Sequence, residues 1–177
     1  VTPTAAGTPG ASLTVAGSPG GEVHANLTVT ALTPGQLVTM PDAIDFGTLT
    51  SGTVSPTSTI MVKNNGGAAT GLILVTLAGP DAAEFELVNN ACMGIPLDAN
   101  GTCNVTVRMR PGAMSSGAKT AMITAMASPG GSAVTNLTGM AQRPAVIAIS
   151  GSGGFGGILV GTNATRTLTV TNTGEQV

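Results

Sequence analysis

Tyrosine and tryptophan are absent from this chain, and Phe46, Phe85 and Phe155 are its only aromatic residues. Its core must therefore be assembled from Val, Leu, Ile, Ala and Met, and its loops carry almost none of the rings that glycan-binding surfaces use. Charge is nearly as scarce. Asp, Glu, Lys and Arg together make up 8% of the 177 residues, against about a quarter in an average globular protein. The net charge is −2 and the nearest approach to a basic cluster is Arg108 with Arg110. Nucleic acid demands a basic face to neutralise phosphates, so that class of partner is excluded. Long apolar runs are missing too: the longest, Leu72 to Ala78, is interrupted by Thr76. A membrane helix needs about 20 apolar residues, so no transmembrane helix is expected. The sequence opens at Val1 with neither Met nor a basic n-region, so either a leader was removed or the chain is an internal piece of something longer, and truncation of the repeat at both ends favours the second.

What is present in abundance is self-similarity. Phe46-Gly47 followed by Gly52 recurs as Phe155-Gly156 followed by Gly161, and Val62-Lys63-Asn64-Asn65-Gly66 recurs as Val170-Thr171-Asn172-Thr173-Gly174. Ser18-Pro19-Gly20-Gly21 with Asn26-Leu27-Thr28 recurs as Ser128-Pro129-Gly130-Gly131 with Asn136-Leu137-Thr138. The period is about 109 residues, and three landmarks that keep one spacing mark a repeat architecture. The expected organisation is the C-terminal strands of a preceding repeat at 1–38, a complete repeat at 41–142, and the N-terminal strands of a following repeat at 143–177.

Alternation with period two runs through each repeat, and no helical stripe of useful length appears. Ile60 and Val62 share one face, as do Leu168 and Val170; Cys103, Val105, Val107 and Met109 are expected inside. Ala121, Ile123 and Ala125 match Ala11, Leu13 and Val15, and Val23, Ala25, Leu27 and Val29 are expected to point inward, which leaves His24 in solvent. Turn chemistry separates the strands at Asn65-Gly66-Gly67, Gly79-Pro80-Asp81, Asn100-Gly101, Pro111-Gly112 and Ser128-Pro129-Gly130-Gly131. Strands are predicted near 43–50, 57–64, 71–78, 85–88, 103–110, 118–126 and 132–140, with one helical turn at 80–84. The fold class is all-β, with immunoglobulin-like β-sandwich repeats in tandem.

Cys92 and Cys103 are the only cysteines and His24 the only histidine. Zinc would ask for four ligands at short spacings, and a redox pair usually reads Cys-x-x-Cys. Ten intervening residues with Gly94, Pro96 and Gly101 read instead as a disulfide-closed loop, which places the protein in an oxidising compartment. No cofactor or metal is expected. Glu84 and Glu86 read as the solvated face of a short strand, not an acid–base pair. Asp42 and Asp45 could face an interdomain calcium, but their counterparts are Gly151 and Gly154, so no repeated cation site is visible. The Gly-rich stretch Gly151 to Gly157 leads into β alternation and not a helix, unlike a phosphate-binding loop. No nucleophile elbow accompanies His24. The chain is therefore expected not to be an enzyme. Asn-x-Thr sequons occur at Asn26, Asn100, Asn104, Asn136 and Asn163, several of which a chain with this much Thr produces by composition alone, and glycosylation is not predicted.

The ordered series Phe46-Gly47 with Gly52, Asn64-Asn65-Gly66, Gly79-Pro80-Asp81-Ala82-Ala83-Glu84-Phe85, Cys92, Leu97, Gly101-Thr102-Cys103, Pro111 and Leu137-Thr138-Gly139 resembles the bacterial choice-of-anchor D repeat. That repeat is akin to the ASH (ASPM–SPD-2–Hydin) immunoglobulin-like domains. The family's Phe-x-Pro is Met109-Arg110-Pro111 here. The resemblance implies a secreted or cell-surface bacterial protein with tandem repeats, and supplies no catalytic residues. The function expected is a non-catalytic element of a fibre or stalk; the alternative is an adhesin or carbohydrate-binding module acting through its loops. Met61, Met122 and Met126 fall on outward strand positions and are candidate assembly contacts, with self-association or neighbouring repeats as the partners.

Overall fold

Residues 2–176 are described by a computed structural model. Among the described residues there are twelve strands, and eight of them close into an immunoglobulin-like β-sandwich. They are β1 (Gly10–Gly17), β2 (Gly21–Thr28), β3 (Leu37–Met40), β4 (Ala43–Thr50), β5 (Ser58–Asn64), β6 (Leu74–Ala78), β7 (Phe85–Asn90), β8 (Thr102–Met109), β9 (Gly117–Ala127), β10 (Gly131–Gln142), β11 (Ile147–Ser150) and β12 (Thr169–Asn172). A single 3-10 turn, Ala82–Glu84, precedes β7. One sheet runs β4-β10-β9-β6 and the other β3-β5-β8-β7. The remaining strands form two separate hairpin-like pairs, β1 with β2 and β11 with β12.

The core lies between the two four-stranded sheets. Ile60, Val62, Val105, Val107 and Met109 from one sheet meet Ile44, Val75, Ile123, Ala125, Leu137 and Ala141 from the other. Alternation predicts these positions because successive strand residues point to opposite faces. Phe85 packs on Phe46 with ring centroids 5.9 Å apart. Met109 is fully buried at the position of the expected aromatic, and its sulfur lies where a side chain at Gly139 would project. A flexible thioether thus fills the space above a glycine.

Leu37–Met40 differs from the expected organisation, which ended the preceding unit at 38 and opened the central one at 41. This segment pairs antiparallel with β5, from Leu37 opposite Asn64 to Met40 opposite Met61, and Leu37 is in the core. The chain then changes sheets at the cis Met40–Pro41 bond, and β4 runs parallel to β10. Thr39 Oγ1 donates to the Val134 carbonyl at 3.0 Å and Thr135 Oγ1 to the Pro41 carbonyl at 2.8 Å, which ties the crossing strand to β10. Four residues ahead of a proline carry too short an alternation to be read as a strand.

Backbone detail recurs along the chain. The β1–β2 and β9–β10 turns both pass through Ser-Pro-Gly-Gly with a cis proline, and Gly17 faces Gly21 as Ala127 faces Gly131. Gly47 and Gly52 have φ of 67° and 83°, and Gly156 and Gly161 have 66° and 87°. β11 meets β12 with Ile147 opposite Asn172, as Leu37 is opposite Asn64.

The terminal hairpins depart from expectation in one respect. Leu13, Val15, Val23, Leu27 and Val29, expected inside, are exposed, as are Leu168 and Val170. Leu13, Val15, Val23 and Leu27 share one face of the β1–β2 pair as alternation assigns them, whereas Val29 and Leu168 lie just outside β2 and β12; among the described residues no second sheet covers that face.

Candidate functional site

The region richest in unusual chemistry is the Cys92–Cys103 loop and the asparagine beneath it. The disulfide is formed, with Cα atoms 5.3 Å apart, and Cys92 is fully buried. It joins the end of β7 to the start of β8, where the Ala91 amide also donates to the Asn104 carbonyl at 3.0 Å. Closing a loop of this size contributes about 3 kcal/mol in the chain-entropy model. The enclosed segment is laced to the chain before β6. The Gly94 amide donates to the Ile73 carbonyl (2.8 Å), the Ile73 amide to the Ile95 carbonyl (3.0 Å), and the Thr70 amide to the Leu97 carbonyl (2.9 Å).

Asn64 is fully buried at the centre of this arrangement. Its Nδ2 donates to the carbonyls of Ala68 (2.8 Å), Leu97 (3.0 Å) and Asp98 (3.1 Å). Its Oδ1 accepts from the amides of Gln36 and Gly66, both at 2.9 Å. A buried side chain this well satisfied organises turns and has no free group for a reaction. The sequence marked Asn64 only as a landmark; its recurrence at Asn172 was the signal for a structural role. Asn172 repeats the pattern with Oδ1 accepting from Val146 (3.0 Å) and Gly174 (2.9 Å) and Nδ2 donating to the Gln176 carbonyl.

Most carboxylates are likewise committed to structure. Glu86 pairs with Arg108 at 2.9 Å and Arg110 at 3.7 Å. Glu84 ends the 3-10 turn and is not on the strand where it was expected; it accepts from the Gly112 amide (2.7 Å) and Ser115 Oγ (2.9 Å). Asp81 pairs with Lys119 at 3.7 Å and accepts from the Thr120 amide at 2.9 Å. Asp45 accepts from the Gly47 amide at 3.0 Å. His24 is exposed, with Nδ1 2.8 Å from Thr14 Oγ1. Among the described residues no group of three or more His, Cys, Asp or Glu side chains is placed to hold a metal ion. None of the helical segments described is long and apolar enough to cross a membrane.

The three methionines singled out by alternation do not share a surface. Met61 lies on the outer side of the β3-β5-β8-β7 sheet, opposite Met40 and Asn104. Met122 and Met126 lie on the outer side of the other sheet, where Met126 faces Leu74 and Met122 faces Ala78. Leu74, Met122, Met126 and Val134 form one exposed apolar group there.

The exit from the sandwich is pinned by charge. Arg143 follows β10, and its Nη2 lies 3.2 Å from Glu175 Oε1 while its backbone amide donates to Oε2 at 2.9 Å. That amide, with the guanidinium beside it, holds the Glu175 carboxyl below its ordinary range. The Gln176 side chain donates to Thr50 Oγ1 at 2.6 Å, linking the β11–β12 pair to the end of β4.

No protein-family model matches the chain, and no curated protein matches it. Solved structures match in shape. A protein of unknown function from Porphyromonas gingivalis aligns over 79% of this chain and 68% of its own length, at 14% identity and a TM-score of 0.45. An ASH/PapD-like domain of human CEP192 aligns over 66% of this chain and 92% of its own, at 16% identity and a TM-score of 0.42. The secreted serine protease VesC of Vibrio cholerae aligns over 55% of this chain but only 21% of its own, at 22% identity and a TM-score of 0.41. Likeness at these scores carries no functional argument.

Proposed function

We propose that this chain is a non-catalytic structural segment of an exported bacterial stalk or fibre, built from immunoglobulin-like sandwiches in tandem. The observation that carries the reading is the recurrence of backbone detail: the same turn, the same glycine conformations and the same asparagine-centred knot return about 110 residues apart. A chain that rebuilds one unit after another sets length, and its stability comes from each unit plus the contacts between neighbours. The Cys92–Cys103 disulfide suits an oxidising exterior. Arg110 and Arg143, each followed by proline, leave trypsin-like proteases few sites. An adhesive module would grip its ligand with aromatic loop residues, whereas Phe46 and Phe85 are packed against each other.

The test is negative-stain electron microscopy of natively purified material. Thin rods or filaments with an axial repeat of one or a few sandwich lengths are expected. Dispersed single globules would overturn the reading.

A further inference from the structure

We propose that β6 is a dimerisation edge: two copies of this chain pair their β6 strands antiparallel about a two-fold axis, joining their β4-β10-β9-β6 sheets into one. The edge belongs to the closed central sandwich. The flanking parts of the chain attach beside Gly130 and after Gln142, at the two ends of β10, and β9 lies between β10 and β6.

The hydrogen-bond pattern identifies the free groups. The Asn136 amide donates to the Asp42 carbonyl at 2.8 Å, on the β4 side of β10. Backbone bonding alternates sides along an antiparallel strand. Thr135 therefore bonds toward Ile123 in β9, and Thr124 toward Thr76 in β6. Val75 and Leu77 are left with their amides and carbonyls aimed away from the sheet. Ile73 confirms the direction, because its amide donates to the Ile95 carbonyl (3.0 Å) and its carbonyl accepts from the Gly94 amide (2.8 Å). Among the described residues no strand pairs with the outer side of β6.

The other edges of the sandwich are guarded. β3 is four residues long and stops before Pro41. β4 carries Asp45 and meets a register shift in β10 between Thr138 and Met140. β7 is interrupted between Leu87 and Asn89 and carries Glu86, paired with Arg108. β6 reads Leu-Val-Thr-Leu-Ala, with neither charge nor proline, and keeps an unbroken register with β9 from Leu74 to Ala78. Natural edges are usually blunted by charge, proline or bulges, and one with none of these is open to strand addition.

The free groups also set the register. Ile73 is occupied, and the Gly79 carbonyl accepts from the Ala82 amide at 3.3 Å. Antiparallel pairing centred on Thr76 places Val75 opposite Leu77 of the second copy and Leu77 opposite its Val75, each pair exchanging both amide-to-carbonyl bonds. The outer face fits that register. Leu74 then stands against Ala78 of the second copy, large beside small, and Thr76 against Thr76, a favourable cross-strand pair. Met126 lies beside Leu74 and Met122 beside Ala78 in β9, so an apolar row runs Met126, Leu74, Ala78, Met122 across the seam. Leu74 is 46% exposed, Met122 39% and Met126 41%. No charged side chain enters the seam. This match of sizes is a property of the strand with itself, and it selects a second copy as the occupant. The contact is isologous and closes at the dimer. A one-strand seam falls below the roughly 1,200 Å² of a standard interface, so the dimer is weak and concentration-dependent.

Sedimentation velocity on the full chain tests this with Thr76→Lys and Thr76→Glu. Position 76 faces outward, so an unshifted thermal transition should report intact folding in both. Wild type is expected to pass from monomer to dimer as concentration rises and to stop there. Each variant alone sets like charges opposite each other at the two-fold axis and is expected to stay monomeric. An equimolar mixture sets Lys opposite Glu and is expected to dimerise. Wild type monomeric at every concentration, either variant dimerising alone as wild type does, or a mixture that stays monomeric would overturn the proposal. Such failure leaves the stalk reading standing, because sandwiches in tandem within one polypeptide need no lateral partner.

Discussion

Asn64 illustrates how one residue can organise several turns. It is buried without charge, yet it satisfies three carbonyls and two amides that no strand ladder reaches. Replacing it by alanine removes these partners together and leaves several of them dry, where each orphaned group costs about 1–3 kcal/mol. Asn64→Ala is expected to lower stability by roughly 3–4 kcal/mol in urea denaturation. Asn172→Ala, at the equivalent place in the exposed hairpin, is expected to leave that main transition where it is. Equal effects from the two would refute the assignment of Asn64 to the core.

Strand β9 shows how period two divides labour within a single element. Ala121, Ile123 and Ala125 face the core, while Met122 and Met126 face outward beside Leu74. Ile123→Ala is expected to cost about 2–4 kcal/mol, the sum of lost burial and a residual cavity. Met122→Ser, one residue away, is expected to change stability by no more than about 0.5 kcal/mol. Denaturant midpoints of the two variants check this directly. A large loss for Met122→Ser would mean that its side chain is covered. Because Met61 lies on the other sheet, any surface using Met122 and Met126 excludes it, so a methionine-mediated contact must use one face or the other.

At the scale of the whole molecule, the joint between the sandwich and the β11–β12 pair depends on Arg143 and Glu175. The amides of Glu175 and Gln176 both donate to the Arg143 carbonyl at 3.2 Å, joining the same two chain segments that the ion pair joins on either side of β11 and β12. The folded-state pKa of Glu175 is depressed. Its contribution is therefore present above the ordinary carboxylate range and is lost as pH falls through the folded value. Amide exchange at Glu175 and Gln176, corrected for intrinsic rates, is expected to accelerate on acidification below that range while the β5 and β8 amides stay protected. Glu175→Gln is expected to remove this pH dependence. Unchanged protection at acid pH in the wild type would show that the joint does not need the carboxylate.

The sequence alone determined the all-β class, the turn positions, the disulfide loop and the inward set Ile60, Val62, Val105, Val107 and Met109, because each follows from local alternation or local turn chemistry. Tertiary structure decided what depends on distant partners. Leu37–Met40 became a strand because β5 lies beside it, and Asn64 became a hub because the 97–98 carbonyls fold over it. Alternation placed Leu27 and Val170 on one face of their strands as surely as Leu137 and Val62. Burial, however, belongs to the facing sheet and not to the strand, and among the described residues the facing sheet is present at the central sandwich.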